Sequence, residues 1–140
     1  MVILKHLLIF ALYAFSVEYA YNIILGNYHI GLWSIPTLHP ANLISVILIT
    51  PLWEEALYRY GPITIAKHFG EKLVFPVVVM SSLLFGWSHN LGVQGIIFQG
   101  VFGFVLSNAY IDGKGYQTSV TLHSLWNLSC ILLFDQMYYY

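Results

Sequence analysis

Charged side chains are scarce in this chain. Lysine and arginine number five and aspartate and glutamate six in 140 residues, 8% in all, where a soluble domain carries about 25%. So few charges cannot coat a globule of this size, which excludes an ordinary soluble domain. No basic excess exists either. The net charge is −1, so there is no electrostatic footprint for nucleic acid. Cysteine occurs once, at Cys130. That excludes an internal disulfide framework and a cysteine-based zinc site, and Cys130 is expected to pack as a small apolar residue. No repeat, low-complexity tract or second domain is visible, and 1–140 reads as a single membrane domain.

What the chain has in excess is grease. Apolar residues make up 59% and aromatic rings 17%, and rings favour the membrane–water interface. Lipid is the expected solvent, and the fold class is all-α, a polytopic membrane helix bundle. A spanning helix needs about 20 mostly apolar residues. The stretches 19–53, 73–111 and 115–134 hold no Asp, Glu, Lys or Arg. With the N-terminal run, they divide at turn signals into about five transmembrane helices.

The first segment covers roughly 7–25 and is read as a retained span, since no small-residue cleavage site follows it. Glu18 within it faces the interface or the bundle interior. The linker 26–40 carries Gly, Asn, His and two prolines, all loop signals. The second segment starts near Asn42, and Pro51 and Pro62 should kink or interrupt it. A polar turn at 67–72 leads to the third segment, about 73–89. The fourth is about 93–111, the turn 112–115 follows, and the fifth is about 117–134. With five spans, Lys5, Lys67, Lys72 and Lys114 fall on one side. The positive-inside rule then places the N-terminus in the cytoplasm, and the chain in the cytoplasmic (inner) membrane. His6, His29, His39, His68, Trp33 and the tyrosines 138–140 read as interfacial.

Against that background some polar groups stand out. Glu54, Glu55 and Arg59 fall within six residues of one another on the second segment. Each charge near the bilayer centre costs about 2.5–3.5 kcal/mol. Glu55 and Arg59, four apart with the acid first, make a favourable helical pair. Glu54 lies about 100° round the helix from Glu55 and is free to face something else. Phe85 and His89 share a face of the third segment, with the small Gly86 and Ser88 allowing close helix approach. His123 and Asn127 share a face of the fifth and must find partners inside the bundle, because lipid offers none. The match of 127–129 to a glycosylation sequon is accidental in mid-helix. Counted from the lysine turns at 1.5 Å per residue, Glu54 and His89 agree in depth, while His123 comes out shallow by about 10 Å. Tilt, or a partly submerged turn at 112–116, would close that gap.

A carboxylate and an imidazole converging in a dehydrated cavity suit water activation. Glu54 takes a proton from water that His89 orients, while His123 and Asn127 hold the negative oxygen of a tetrahedral intermediate. No serine stands in a nucleophile arrangement, so direct attack by water is the simplest hydrolysis.

Taken together, E-E-x-x-x-R (Glu54, Glu55, Arg59), F-x-x-x-H (Phe85, His89) and H-x-x-x-N (His123, Asn127) resemble the motifs of the CPBP family of intramembrane endopeptidases. That family includes the CAAX prenyl proteases of the Rce1 type and the bacteriocin-processing or self-immunity proteins called Abi. The resemblance covers 51–132. It implies a glutamate-type intramembrane endopeptidase cutting a peptide bond near the membrane surface. Glu54, His89, His123 and Asn127 would be catalytic, with Glu55, Arg59 and Phe85 supporting. It implies no cofactor; zinc held by Glu54, His89 and His123 is the alternative. The implied partners are a membrane-associated peptide or protein substrate and the bilayer, with homo- or hetero-oligomerisation left open. Tyr58 stands where the family often has Phe, and Tyr60 where it often has Gly, which puts close helix packing there in question. A non-catalytic scaffold or immunity protein of the same family, and a small ion-coupled carrier, are the rival readings.

Overall fold

The computed structural model describes residues 1–25, 43–89 and 92–134. Readings that fall on 26–42, 90–91 and 135–140 lie outside the described residues, among them the 26–40 linker with His29, Trp33 and His39, and the C-terminal tyrosines. The side chain of Glu18 lies outside them as well.

Among the described residues every element is helical. Helix α1 is Val2–Leu25. Helix α2 runs continuously over 45–69, as a π-helical turn Ser45–Ile49, an α-helical stretch Thr50–Glu55, a second π-helical turn Ala56–Tyr60 and an α-helical end Gly61–Phe69. A 3-10 turn, Glu71–Leu73, leads into α3, Val74–Ser88. Helix α4 is Val93–Asp112, with a π-helical turn at Ile96–Gly100. Helix α5 is Tyr116–Phe134. Two stretches, Glu71–Ser88 and Val93–Asp112, are long and apolar enough to cross a membrane.

The breaks obey local chemistry. Gly70 (φ 143°) ends α2, and Gly115 (φ 63°) turns the chain between α4 and α5. Positive φ is the conformation that glycine adopts without steric cost. Thr118 Oγ1 accepts the Lys114 N–H at 2.7 Å and so tethers the start of α5.

The prolines act otherwise than the sequence suggests. Neither interrupts α2. Each instead follows a π-helical turn by two residues: Pro51 after Ser45–Ile49, Pro62 after Ala56–Tyr60. Proline lacks an N–H and crowds the carbonyl four residues earlier, and the wider π turn absorbs that insult. Carbonyls freed in this way find donors on other helices. Tyr58 O, four before Pro62, accepts the Ser81 hydroxyl from α3. Val46 O, in the first π turn, accepts Asn127 Nδ2 from α5 at 2.9 Å. In the third π turn, Ile97 O accepts the Tyr13 hydroxyl from α1 at 2.8 Å.

Among the described residues two apolar clusters fill the interior. Phe10, Phe85, Phe102, Leu106 and Leu122 join α1, α3, α4 and α5. Ile63, Ala66, Val74 and Val78 join α2 to α3, and Tyr110 packs on them. The same interior also buries Glu55, Arg59, His123, Ser107 and Ser119, while Leu12, Phe15, Leu57, Phe69 and Phe75 are exposed. Polar groups inside and large apolar ones outside is the inverse of a soluble domain's surface.

The lysines gather at one end. Lys5 Nζ reaches Asp112 at 3.4 Å, which brings the start of α1 to the α4–α5 turn. Tyr110 brings the α2–α3 turn to the same place. Three sequence expectations need correction here. Helix α1 starts at Val2, not near Leu7. His6 is not interfacial: it is buried, with Nδ1 2.8 Å from Val2 O and Nε2 3.5 Å from Asp112. Tyr60 does not disturb close packing, because it is exposed and its ring meets Tyr116 edge-on at 5.9 Å.

Candidate active site

Three helices bring the motif residues together. Glu54 is next to last in the α-helical stretch of α2, and Glu55, which ends it, points 100° further round, into the bundle. Glu55 is fully buried. Its Oε1 receives Arg59 Nη1 at 3.1 Å from one turn on, and His123 Nδ1 at 2.8 Å from α5. His123 spans the two acids, since its Nε2 lies 3.5 Å from Glu54 Oε2. The order Arg59–Glu55–His123–Glu54 is therefore a single chain of polar contacts.

Phe85 is the wall behind it. The ring is fully buried, with the Arg59 guanidinium carbon 4.1 Å from its centroid. That is close enough for a cation–π contribution. Phe85 also meets the rings of His89 at 4.6 Å and His123 at 5.9 Å, both edge-on. Its carbonyl accepts His89 Nδ1–H at 2.7 Å. The hydrogen must sit on Nδ1, because a carbonyl only accepts. A neutral His89 thus presents a bare Nε2 as an acceptor.

Close approach of α3 and α4 holds this wall in place. A Cβ on Gly86 would lie 2.7 Å from Gly100 N and from Gly95 O, so only glycine fits the crossing. A Cβ on Gly103 would lie 2.8 Å from Arg59 Nη2 and 3.0 Å from Phe85. Gly103 is the space into which the guanidinium folds.

Glu54, His89, His123 and Asn127 all line one cavity of about 330 Å³ between the helices. Asn127 spends one amide N–H on Val46 O and has a second to offer. The structure bonds His123 directly to both acids. It seats His89 and Asn127 on the cavity wall without a hydrogen bond to Glu54. Cys130 is buried, as expected, and also borders the cavity. Glu55, Arg59 and Phe85 stand behind the wall rather than on it.

The depth gap of His123 closes through the turn. The Tyr116 hydroxyl donates to Leu52 O at 2.6 Å and its ring meets Tyr60. Tyr60 precedes Lys67 by about 10 Å of helix rise. The first turn of α5 therefore starts deeper in the bundle than the α2–α3 lysine turn.

Zinc was the alternative for Glu54, His89 and His123. Among the described residues no group of three His, Cys, Asp or Glu side chains is arranged to hold a metal ion.

Residues 36–129 match the family model of the Rce1-like type II CAAX prenyl endopeptidases. The chain belongs to the Rce1-like family. No curated protein and no solved structure matches it. The family is membrane-associated and its name is that of a peptidase, and all three motifs of this Rce1-like chain fall within the matched span. Motif reading foresaw the Glu55–Arg59 pair. It missed the Glu55–His123 bond, because spacing along one helix says nothing of contacts between helices. It also missed Thr50 and Gln99, which reach the same cavity; a glutamine in the uncharged stretch 73–111, which also holds Gln94, was the available signal.

Proposed function

We propose that this protein is a glutamate-type intramembrane endopeptidase that cleaves a peptide bond of a membrane-associated substrate. The observation that carries the reading is the shared cavity, onto which Glu54, His89, His123 and Asn127 all open while Glu55 and Arg59 hold His123 from behind.

The charges suit this chemistry. Each acid has a basic partner, Glu55 the Arg59 guanidinium and Glu54 the His123 imidazole, so Glu54 stands as a base beside a donor. Water, accepted by the bare His89 Nε2, gives its proton to Glu54, and its oxygen attacks the peptide carbonyl carbon. Negative charge moves to the carbonyl oxygen, where His123 Nε2–H and the free Asn127 N–H receive it. Glu54 then passes its proton to the leaving nitrogen as the C–N bond breaks. An acid–base group of this kind contributes about 10²–10⁴-fold, and an oxyanion donor about 10²–10³-fold.

The apolar exterior and the gathering of lysines at one end support five transmembrane helices in the cytoplasmic membrane, with the N-terminus inside. The family name points to a CAAX-type C-terminal peptide as the first substrate class to try, without a metal cofactor. Substrate processing tests the reading. Glu54→Gln, His89→Ala and His123→Ala should each abolish product while the protein still inserts and accumulates. Cleavage retained in Glu54→Gln rejects it. A biological effect retained in all three variants would point to a scaffold instead.

A further inference from the structure

Six polar side chains reach the cavity wall: Thr50, Glu54, His89, Gln99, His123 and Asn127. Four of them are engaged by the protein itself. Glu54 meets His123, His123 meets Glu55, His89 meets Phe85 O, and Asn127 meets Val46 O. Among the described residues Thr50 and Gln99 make no such contact. A threonine hydroxyl can turn onto its own helix backbone. A glutamine amide, with two donor hydrogens and two acceptor lone pairs, cannot be served that way. The Gln99 amide, half-buried on the cavity wall, is thus left open to whatever the cavity holds.

The backbone around Gln99 is also unusual and rigid. Gln99 lies in the π-helical turn Ile96–Gly100, a distortion frequent at functional sites, and this turn, unlike the two in α2, precedes no proline. One side of that turn is pinned by the Tyr13 hydroxyl on Ile97 O, and the other by the backbone contact of Gly100 with Gly86. Helix α4 carries none of the three motifs, and Gln99 is its polar contribution to the cavity.

We propose that Gln99 is a substrate-binding residue that grips the peptide backbone next to the scissile bond. Its amide oxygen accepts a backbone N–H and its amide nitrogen donates to a backbone carbonyl, the complement of the N–H and C=O that one residue of an extended chain presents on the same side. This recognition reads no side chain, so it suits a site that must hold an extended peptide whatever its sequence. The inference rests on the peptidase reading above and adds to it the part of the substrate that is held.

The test uses the full chain in liposomes with a proteome-derived peptide mixture, and mass spectrometry records products absent with Glu54→Gln. The best-cut peptide is then resynthesised with each backbone N–H near the cut replaced in turn by an ester oxygen. Gln99→Leu, which keeps the volume and drops the amide, should lower kcat/KM about 10–100-fold through KM, the worth of two such hydrogen bonds. At one ester position the wild type should lose about tenfold, the worth of one, and Gln99→Leu should lose nothing more. A merely structural role would not give that cancellation. Equal losses for both proteins at every ester position overturn the proposal, as does an unchanged KM in Gln99→Leu, and both leave the peptidase reading standing. Absence of any Glu54-dependent product overturns the peptidase reading and this inference with it.

Discussion

Glu55 and Arg59 offer the sharpest test of how this interior is held. Both are fully buried, 3.1 Å apart. At an effective dielectric near 20 a pair at that distance attracts by about 5 kcal/mol, and removing one member strands the other charge at a cost of about 3–5 kcal/mol. Glu55→Leu and Arg59→Met should therefore each cost about 3–5 kcal/mol. Removing both takes the buried charges away together. What remains is the loss of the His123 acceptor, about 1–3 kcal/mol. The double variant should thus be more stable than either single one, although it carries more changes. Among the described residues Arg59 Nε and Nη2 and Glu55 Oε2 find no hydrogen-bond partner, so the pair is imperfectly satisfied, which strengthens the expectation. Reversible unfolding in mixed micelles gives all four free energies. Additive losses, with the double variant about 6–10 kcal/mol below wild type, would refute the reasoning. Processing by the double variant should stay low even when it is folded, because His123 has lost the group that orients it.

The glycines should rank by what their new methyl meets. Gly86→Ala strikes backbone at 2.7 Å and should cost about 3 kcal/mol or more, whereas Gly61→Ala meets only Ala56 O at 3.4 Å and should cost less, its helix-propensity gain offset by Pro62, which disfavours a helical Cβ before it; thermal unfolding of the two variants checks the order. Tyr13→Phe removes the donor to Ile97 O and should cost about 0.6–1.7 kcal/mol, the range for interhelical hydrogen bonds in membranes. Tyr60→Phe, exposed and edge-on to Tyr116, should change stability little by comparison. Lys5→Ala breaks an exposed pair, with side chains 61% and 44% accessible. It should cost less than about 1 kcal/mol, and that small loss should vanish in high salt.

Much of this was legible in the residues. Scarce charge and uncharged stretches gave an all-helical bundle, and glycine and lysine turns set the helix ends within a few residues. Glu55–Arg59 could be read because helical spacing alone brings an acid and a base together. His6 was misread because a histidine before an apolar run looks the same whether it meets water or an aspartate a hundred residues away. Asp112 decides the matter, and only the fold brings it there. The link from His123 to Glu55 belongs to the same class: it depends on how α5 is rotated against α2, which no spacing on either helix encodes.

The prolines show why such rotations are well defined. Inside a packed bundle an unpaired carbonyl is expensive, so a proline inside a helix demands a donor from elsewhere. Ser81 answers at Tyr58 O, one turn before Pro62, and Asn127 answers at Val46 O upstream of Pro51. Each answer fixes one helix against α2 at one register. Ser81 lies four residues before Phe85, one turn along the same face of α3, and Asn127 lies one turn beyond His123 on α5. The bonds that repair the proline defects therefore also set the rotation of the two helices that carry Phe85, His89 and His123. On this account Asn127 has two tasks for its two N–H groups, and Asn127→Leu should lower both stability and processing. Asn127→Asp retains the size but loses both donors, so it should do the same. If Asn127→Asp lost processing alone and kept full stability, the bond to Val46 O would be incidental to the placement of α5.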